Sequence, residues 1–216
     1  MNRTEIINHI ISKYNFDTYL EIGVSDVNLN FNHIKIKNKI GVDPNPDVWG
    51  IDYNMTSDDF FKINKQKFDI IFIDGMHEFH FVYRDIINSL DILNENGVIV
   101  LHDCNPENEV IQMVPETKDG IWTNQEWVDF AENWRKLSVD GNWSGDCWKA
   151  IVKFRSLHNN FKTFVIDTDF GVGIITKSTK SVEPLILNEE LTYKNLEKNR
   201  KEWLNLFSID DFINNI

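Results

Sequence analysis

The sequence predicts an α/β protein built on a mostly parallel sheet. Four short apolar runs close on a glycine or a carboxylate: Leu20-Glu21-Ile22-Gly23, Ile40-Gly41-Val42-Asp43, Ile71-Phe72-Ile73-Asp74-Gly75 and Val98-Ile99-Val100-Leu101-His102-Asp103. Strands buried on both faces read as such continuous Val/Ile/Leu runs, not as alternating ones. The segments between them carry helical spacing, and strand–helix–strand alternation at this length makes right-handed βαβ units. Ligands of open α/β sheets sit beyond the carboxyl ends of the strands. The four run ends therefore predict one crevice, and the function is sought there.

Each element follows from its local pattern. Ile6, Ile7, Ile10 and Ile11 space one face of a helix over Thr4–Tyr14, and strand one covers Thr18–Gly23. Strand two, Lys39–Asp43, is stopped by Pro44-Asn45-Pro46, and a weak third strand or turn is placed near Gly50–Asn54. Thr56-Ser57-Asp58-Asp59 reads as a helix start, because hydroxyl and acid groups satisfy free N–H donors at the positive dipole end. Phe68–Asp74 is the next strand. A helix over about Phe79–Leu93 presents Val82, Ile86, Ile87, Leu90 and Leu93, and Asn96-Gly97 leads into strand Val98–His102. The stretch 105–145 changes character, with Trp122, Trp127, Trp134 and Trp143 among polar residues, and is read as an insertion or lid with a helix near Asn124–Leu137. Asp146 is placed as the cap of a helix over Cys147–Leu157. Thr163–Asp167 and Val172–Ile175 read as a hairpin, and a polar helix at about 189–206 closes a single domain spanning 1–216.

The chain has 216 residues, 42% of them hydrophobic, which suits one globular domain. Its net charge of −12 argues against nucleic acid as a general partner, since phosphate binding needs a basic surface. No apolar run reaches the ~18 residues of a membrane span, and the start lacks a signal-peptide pattern. Cys104 and Cys147 fall in neither zinc-like nor disulfide-rich spacing. The expectation is a reduced, cytoplasmic protein. A homo-oligomer is left open.

Tyr19-Leu20-Glu21-Ile22-Gly23, Gly41-Val42-Asp43, Met55-Thr56-Ser57-Asp58, Phe72-Ile73-Asp74-Gly75-Met76-His77, Leu101-His102-Asp103 and Gly145-Asp146-Cys147-Trp148-Lys149-Ala150 resemble, in this order, class I S-adenosylmethionine-dependent methyltransferases. The closer likeness is to small-molecule and sugar O-methyltransferases of the metal-dependent kind, over about residues 15–176. The resemblance implies a Rossmann-like fold: a seven-stranded, mostly parallel sheet with an antiparallel last strand and helices on both faces. It implies S-adenosylmethionine as cofactor, S-adenosylhomocysteine as product and a hydroxylated small-molecule acceptor, such as a sugar or sugar nucleotide. One departure stands out. Many relatives carry a second glycine in the loop after strand one, whereas here Gly23 is followed by Val24-Ser25-Asp26-Val27-Asn28. Asn or Asp can take the left-handed geometry instead, so this loop, Ser25 included, still wraps the cofactor in the expected fold.

Asp43 ends strand two where dinucleotide sites keep an acid for ribose hydroxyls; the alternative is an Asp that caps the Pro44 turn. By resemblance, Glu21 and Gly23 flank the methionine part of the cofactor. Ser57 and Asp58 are placed near the adenine, with helix capping an equal explanation. Asp74 is assigned to cofactor and chemistry alike. Relatives with this spacing hold a divalent metal between the acids of two strand ends, so Asp74, Asp103 and His102 are the candidate ligands of Mg²⁺ or another divalent cation. His102 replaces an acid there, which makes the set poorer in carboxylates; Asp74 as a helix cap is the alternative. His77, three residues after Asp74, is the candidate general base. A hydroxyl needs its proton removed to become a nucleophile, and histidine can take it near neutral pH. His80 is the rival base. The resemblance places Asp146, Trp148 and Lys149 near the substrate mouth. Two other readings compete: a cofactor-binding or interaction module that no longer catalyses, and a nicotinamide-dependent oxidoreductase. The second would want a Gly-x-Gly-x-x-Gly loop, which is absent.

Overall fold

The structure, a computed structural model, describes residues 1–115, 123–178 and 180–215. Helix α1 (Arg3–Tyr14) opens on a capping box in which Asn2 and Glu5 exchange side-chain-to-backbone hydrogen bonds. It buries Ile6, Ile7, Ile10 and Ile11, as their spacing predicts. Strands β1 (Thr18–Ile22), β2 (Asn38–Val42), β3 (Phe68–Ile73) and β4 (Leu93–Leu101) pair in parallel. Helix α2 (Ser57–Ile63) is capped by Thr56, whose hydroxyl accepts the Asp59 N–H. Helix α3 (Phe79–Ile92) is capped by Glu78, whose carboxylate accepts the N–H groups of His80 and Phe81. Helices α4 (Asn124–Leu137) and α5 (Trp148–Leu157) precede the hairpin of β5 (Phe161–Ile166) and β6 (Val172–Lys177). Helix α6 (Tyr193–Trp203), strand β7 (Leu206–Phe207) and helix α7 (Ile209–Asn215) follow.

The sheet runs β2-β1-β3-β4-β6-β5-β7. Strand β6 lies antiparallel to both neighbours, and all other pairings are parallel. Side chains alternate across the strands, so the two faces feed separate cores. On β3, Ile71 and Ile73 face Phe60, Val82, Ile86 and Trp148 of α2, α3 and α5; Ile70 and Phe72 face the α1 isoleucines and Phe212 of α7. No helix among the described residues is long and apolar enough to cross a membrane.

Several boundaries differ from expectation. The third strand near Gly50–Asn54 shrinks to a single bridge, Val42 to Tyr53. The Asp52 carboxylate accepts the Gly41 N–H at 3.0 Å, a donor that a paired strand would have used. The seventh strand comes instead from Leu206–Phe207, which begins where the expected 189–206 helix ends. Asn96-Gly97 falls inside β4, where the register with β3 shifts, because Leu93 already pairs with Phe68. Asp146 does not cap α5, whose first flanking residue is Cys147. Its Oδ1 accepts the Phe79 N–H at 2.7 Å, and its Oδ2 accepts from Lys149 Nζ at 2.7 Å, so it braces the start of α3. Trp148 is not at a mouth. It is fully buried, stacked on Trp203 with ring centroids 6.2 Å apart. Of the four tryptophans in the 105–145 stretch, Trp122 lies outside the described residues. Trp134 and Trp143 donate to the backbone carbonyls of Val110 and Met113, which ties α4 and its flank to the stretch before it.

Candidate active site

Register brings the predicted residues together. Ile22 pairs with Val42 on one side and Ile73 on the other, and Ile73 pairs with Leu101. The next residues along β2, β1, β3 and β4 are therefore Asp43, Gly23, Asp74 and His102, in one row across the carboxyl end of the sheet. The ladder extends through them: Gly23 N–H donates to Val42 O at 2.9 Å, Asp74 N–H to Ile22 O at 2.9 Å and His102 N–H to Ile73 O at 3.1 Å. At Gly23 (φ +84°) the loop backbones after β1 and β3 touch; a Cβ there would lie 2.3 Å from Gly75 Cα, so only glycine fits.

Two clefts open on this row and share Gly23, Ser25, Asp74 and His77. One, of about 390 Å³, is lined by Asp43, Ser57, Asp58, Met76, Phe81 and Asp85. The other, of about 310 Å³, is lined by Arg3, Glu21, Asn30, His102, Asp103 and Trp143. A larger cleft of about 780 Å³ sits at the opposite sheet end, beside Asp69, Asn94 and Lys162, and contains none of the predicted residues.

In the first cleft, Asp43 Oδ2 accepts the Ser25 N–H at 2.9 Å and Oδ1 accepts the Asn45 N–H at 2.8 Å. Ser25 itself takes the left-handed conformation (φ 56°). Sequence reasoning gave that geometry to an Asn or Asp of the loop; the Asp43 carboxylate instead holds the serine backbone there. Asp43→Ala is expected to weaken S-adenosylhomocysteine binding about 10–100-fold, the scale of losing hydrogen bonds to a buried charge. Calorimetry on a variant that retains cooperative melting checks this, and unchanged affinity would remove the ribose assignment.

The second cleft gathers the charged and titratable groups Arg3, Glu21, Asp74, His77, His102 and Asp103. Glu21, almost wholly buried, accepts hydrogen bonds from the Tyr19 hydroxyl and from Asn30 Nδ2, the latter at 2.9 Å. Burial pushes its pKa up to about 7. His102 Nδ1 lies 3.3 Å from both Asp74 Oδ1 and Asp103 Oδ2. His77 bridges the same two carboxylates, with Nε2 at 3.4 Å from Asp74 and Nδ1 at 3.2 Å from Asp103. Burial favours neutral rings and a neutral Asp74, but the mutual attractions outweigh it. Both histidines are held above the ordinary value, His102 well above, and the two rings pull Asp74 below the usual carboxylate range. His77 also stacks on Trp143 at 5.2 Å and approaches Trp143 O through Nδ1 at 3.1 Å. His80, the rival base, is half-exposed and bound to Glu78 at 2.6 Å.

Arg3 and Asp169 complete this site, and sequence reasoning missed both. Arg3 lies on the first turn of α1. Its Nε is 3.8 Å from Asp74, and Nη1 is 3.4 Å from both Asp169 and His102 Nε2. Asp169, in the β5–β6 turn, also accepts the Arg3 backbone N–H at 2.8 Å. No local spacing signals a contact between residues so far apart in the chain.

Residues 20–104 match a family model described as a methyltransferase domain. That stretch spans the first four strands of the sheet and the loops at their carboxyl ends. The architecture is Rossmann-like, a seven-stranded, mostly parallel sheet flanked by helices; its antiparallel strand is β6, while the last strand, β7, is parallel to β5. No curated protein matches the chain. Among solved structures, the domain is similar to cofactor-bound Rv0187 from MTB (12% identity, covering 81% of this chain and 79% of that one, TM-score 0.53). It is also similar to the S-adenosylhomocysteine-bound methyltransferase PaMTH1 from Podospora anserina (16% identity, 80% and 76% covered, TM-score 0.50). The O-methyltransferase from Bacillus cereus in complex with S-adenosylhomocysteine gives 12% identity, 82% of each chain and a TM-score of 0.50. At these identities the likeness is one of fold.

Proposed function

We propose that the protein transfers a methyl group from S-adenosylmethionine to a hydroxyl of a small molecule such as a sugar or sugar nucleotide. The observation that carries this reading is the in-register row Asp43, Gly23, Asp74 and His102, with His77 beside it, where two clefts meet. Asp43 offers acceptors for the ribose diol. Ser57 and Asp58 line the same cleft as its adenine end. Glu21, Gly23 and Asp74 lie where the cleft continues toward the methionine part. The bound cofactor supplies a methyl group already activated by the sulfonium.

The chain's own residues then position and deprotonate the acceptor. His77, between the two clefts, takes the hydroxyl proton, and Asp74 and Asp103 stabilise the imidazolium that results. Trp143, with Gly141, Asn142 and Ser144 beside it, walls the acceptor side. Asp74, His102 and Asp103 also fit a divalent cation. Their donor atoms lie within 4.8 Å of one another, and adjacent ligands around a cation with bonds of about 2.1–2.4 Å stand roughly 3 Å apart, near the observed separations of 3.3 Å. Such a cation would lower the acidity threshold of the hydroxyl.

Thermal shift tests the cofactor reading. S-adenosylhomocysteine at 100-fold over its Kd should stabilise the protein by about 2.7 kcal/mol, with NAD giving no shift. Stabilisation by NAD alone would overturn it. Methyl transfer to a panel of hydroxylated acceptors, with and without a chelator, then identifies the acceptor and the metal requirement.

A further inference from the structure

Asp85 is a buried acid that nothing above has used. It projects from α3 at the floor of the 390 Å³ cleft, only 3% exposed. The Ser57 hydroxyl hydrogen-bonds its carboxyl, and its Oδ1 has no hydrogen-bond partner. A buried oxygen left unpaired is costly, and it marks a place where a donor belongs. Burial raises the acid's pKa to about 7. The neighbouring acid Asp58, expected beside the adenine, is half-exposed and taken by Arg84 Nε at 2.7 Å. Residues 84 and 85 of α3 thus grip residues 58 and 57 at the start of α2, and the buried Oδ1 of Asp85 is left without a partner.

The donors of S-adenosylmethionine are few. On the cofactor reading above, the ribose hydroxyls are assigned to Asp43 and the α-ammonium to Glu21 and Asp74 in the adjoining cleft. The remaining N–H donor is the exocyclic 6-amino group of adenine. Resting on the cofactor reading above, we propose that Asp85 is a specificity-determining residue whose Oδ1 accepts a hydrogen bond from the adenine 6-amino group. As a carboxylate, above its raised pKa, Asp85 can only accept, so the cleft then selects an amino-purine nucleoside and disfavours a 6-oxo-purine, whose oxygen would face the acid oxygen.

Calorimetry with S-adenosylhomocysteine and its deaminated analogue S-inosylhomocysteine tests this. The natural protein should prefer the adenine compound by about tenfold or more, the scale of one buried hydrogen bond. Asp85→Leu, which removes the unpaired polar atom and keeps the branched shape, should bring the ratio near one. Asp85→Asn should also shrink it, because a rotated amide can donate to the 6-oxo group. A preference unchanged in the variants overturns the proposal while leaving the cofactor reading intact. Loss of all S-adenosylhomocysteine binding by the natural protein overturns both.

Discussion

Replacing His77 with alanine is expected to lower turnover about 10²–10⁴-fold, the usual range for a lost general base, with S-adenosylhomocysteine affinity changed only a few-fold. The ring sits where the two clefts join and contacts both Asp74 and Asp103. Those carboxylates set the pH dependence. Burial lowers the His77 pKa and the two acids raise it further, so it lies above the ordinary 6.5. A base must be unprotonated to act. Turnover should therefore climb with pH through a midpoint above 6.5 and flatten beyond it, and the His77→Ala variant should lack that limb. Single-turnover rates across a pH series measure both effects. Near-normal turnover in the variant, or a natural limb below 6.5, would dismiss His77 as the base.

Gly145→Ala should be nearly as damaging, although residue 145 carries no functional group. Gly145 has φ +57°, and a Cβ there would lie 1.6 Å from the His77 carbonyl oxygen and 2.7 Å from His77 Cβ. The clash is with backbone, so His77 must move. Misplacing a catalytic group by about 1 Å can cost on the order of 10² in rate. The left-handed geometry adds roughly 1–2 kcal/mol of strain for any L residue. Turnover about 100-fold down with a lowered melting temperature is the expected result. Gly141→Ala supplies the comparison: it shares the left-handed backbone (φ +71°) but would meet nothing within 4 Å. If the two variants behave alike, steric support of His77 by Gly145 is not the cause.

The parallel sheet was legible because its strands are buried on both faces and end in distinctive residues. Glu21, Gly23, Ser25, Asp43, Ser57, Asp58, Asp74, His77, His102 and Asp103 all line the two clefts, because in-register parallel strands deliver their ends to one edge. What escaped was of another kind. Arg3 reads locally as a helix-start residue, and its role comes from α1 packing across the sheet. Asp169 reads as a turn residue, and β6 carries it to the site by inserting between β4 and β5. Asp146 has the composition of a cap, yet it serves a different helix from the one it precedes. Asp85 was hidden inside an amphipathic helix, where a polar residue at a buried position looks like noise in the pattern. Local chemistry predicts which segments exist; contacts between distant segments decide what each polar group does.

Strand order also bears on how the chain must be made. During synthesis β4 emerges well before β6, its partner in the finished sheet. Until the hairpin arrives, Val98–Leu101 presents an open, apolar edge of unpaired amides and carbonyls, the kind of surface that recruits stray chains. Nascent protein at this stage should be the most aggregation-prone, and chaperone dependence should peak there.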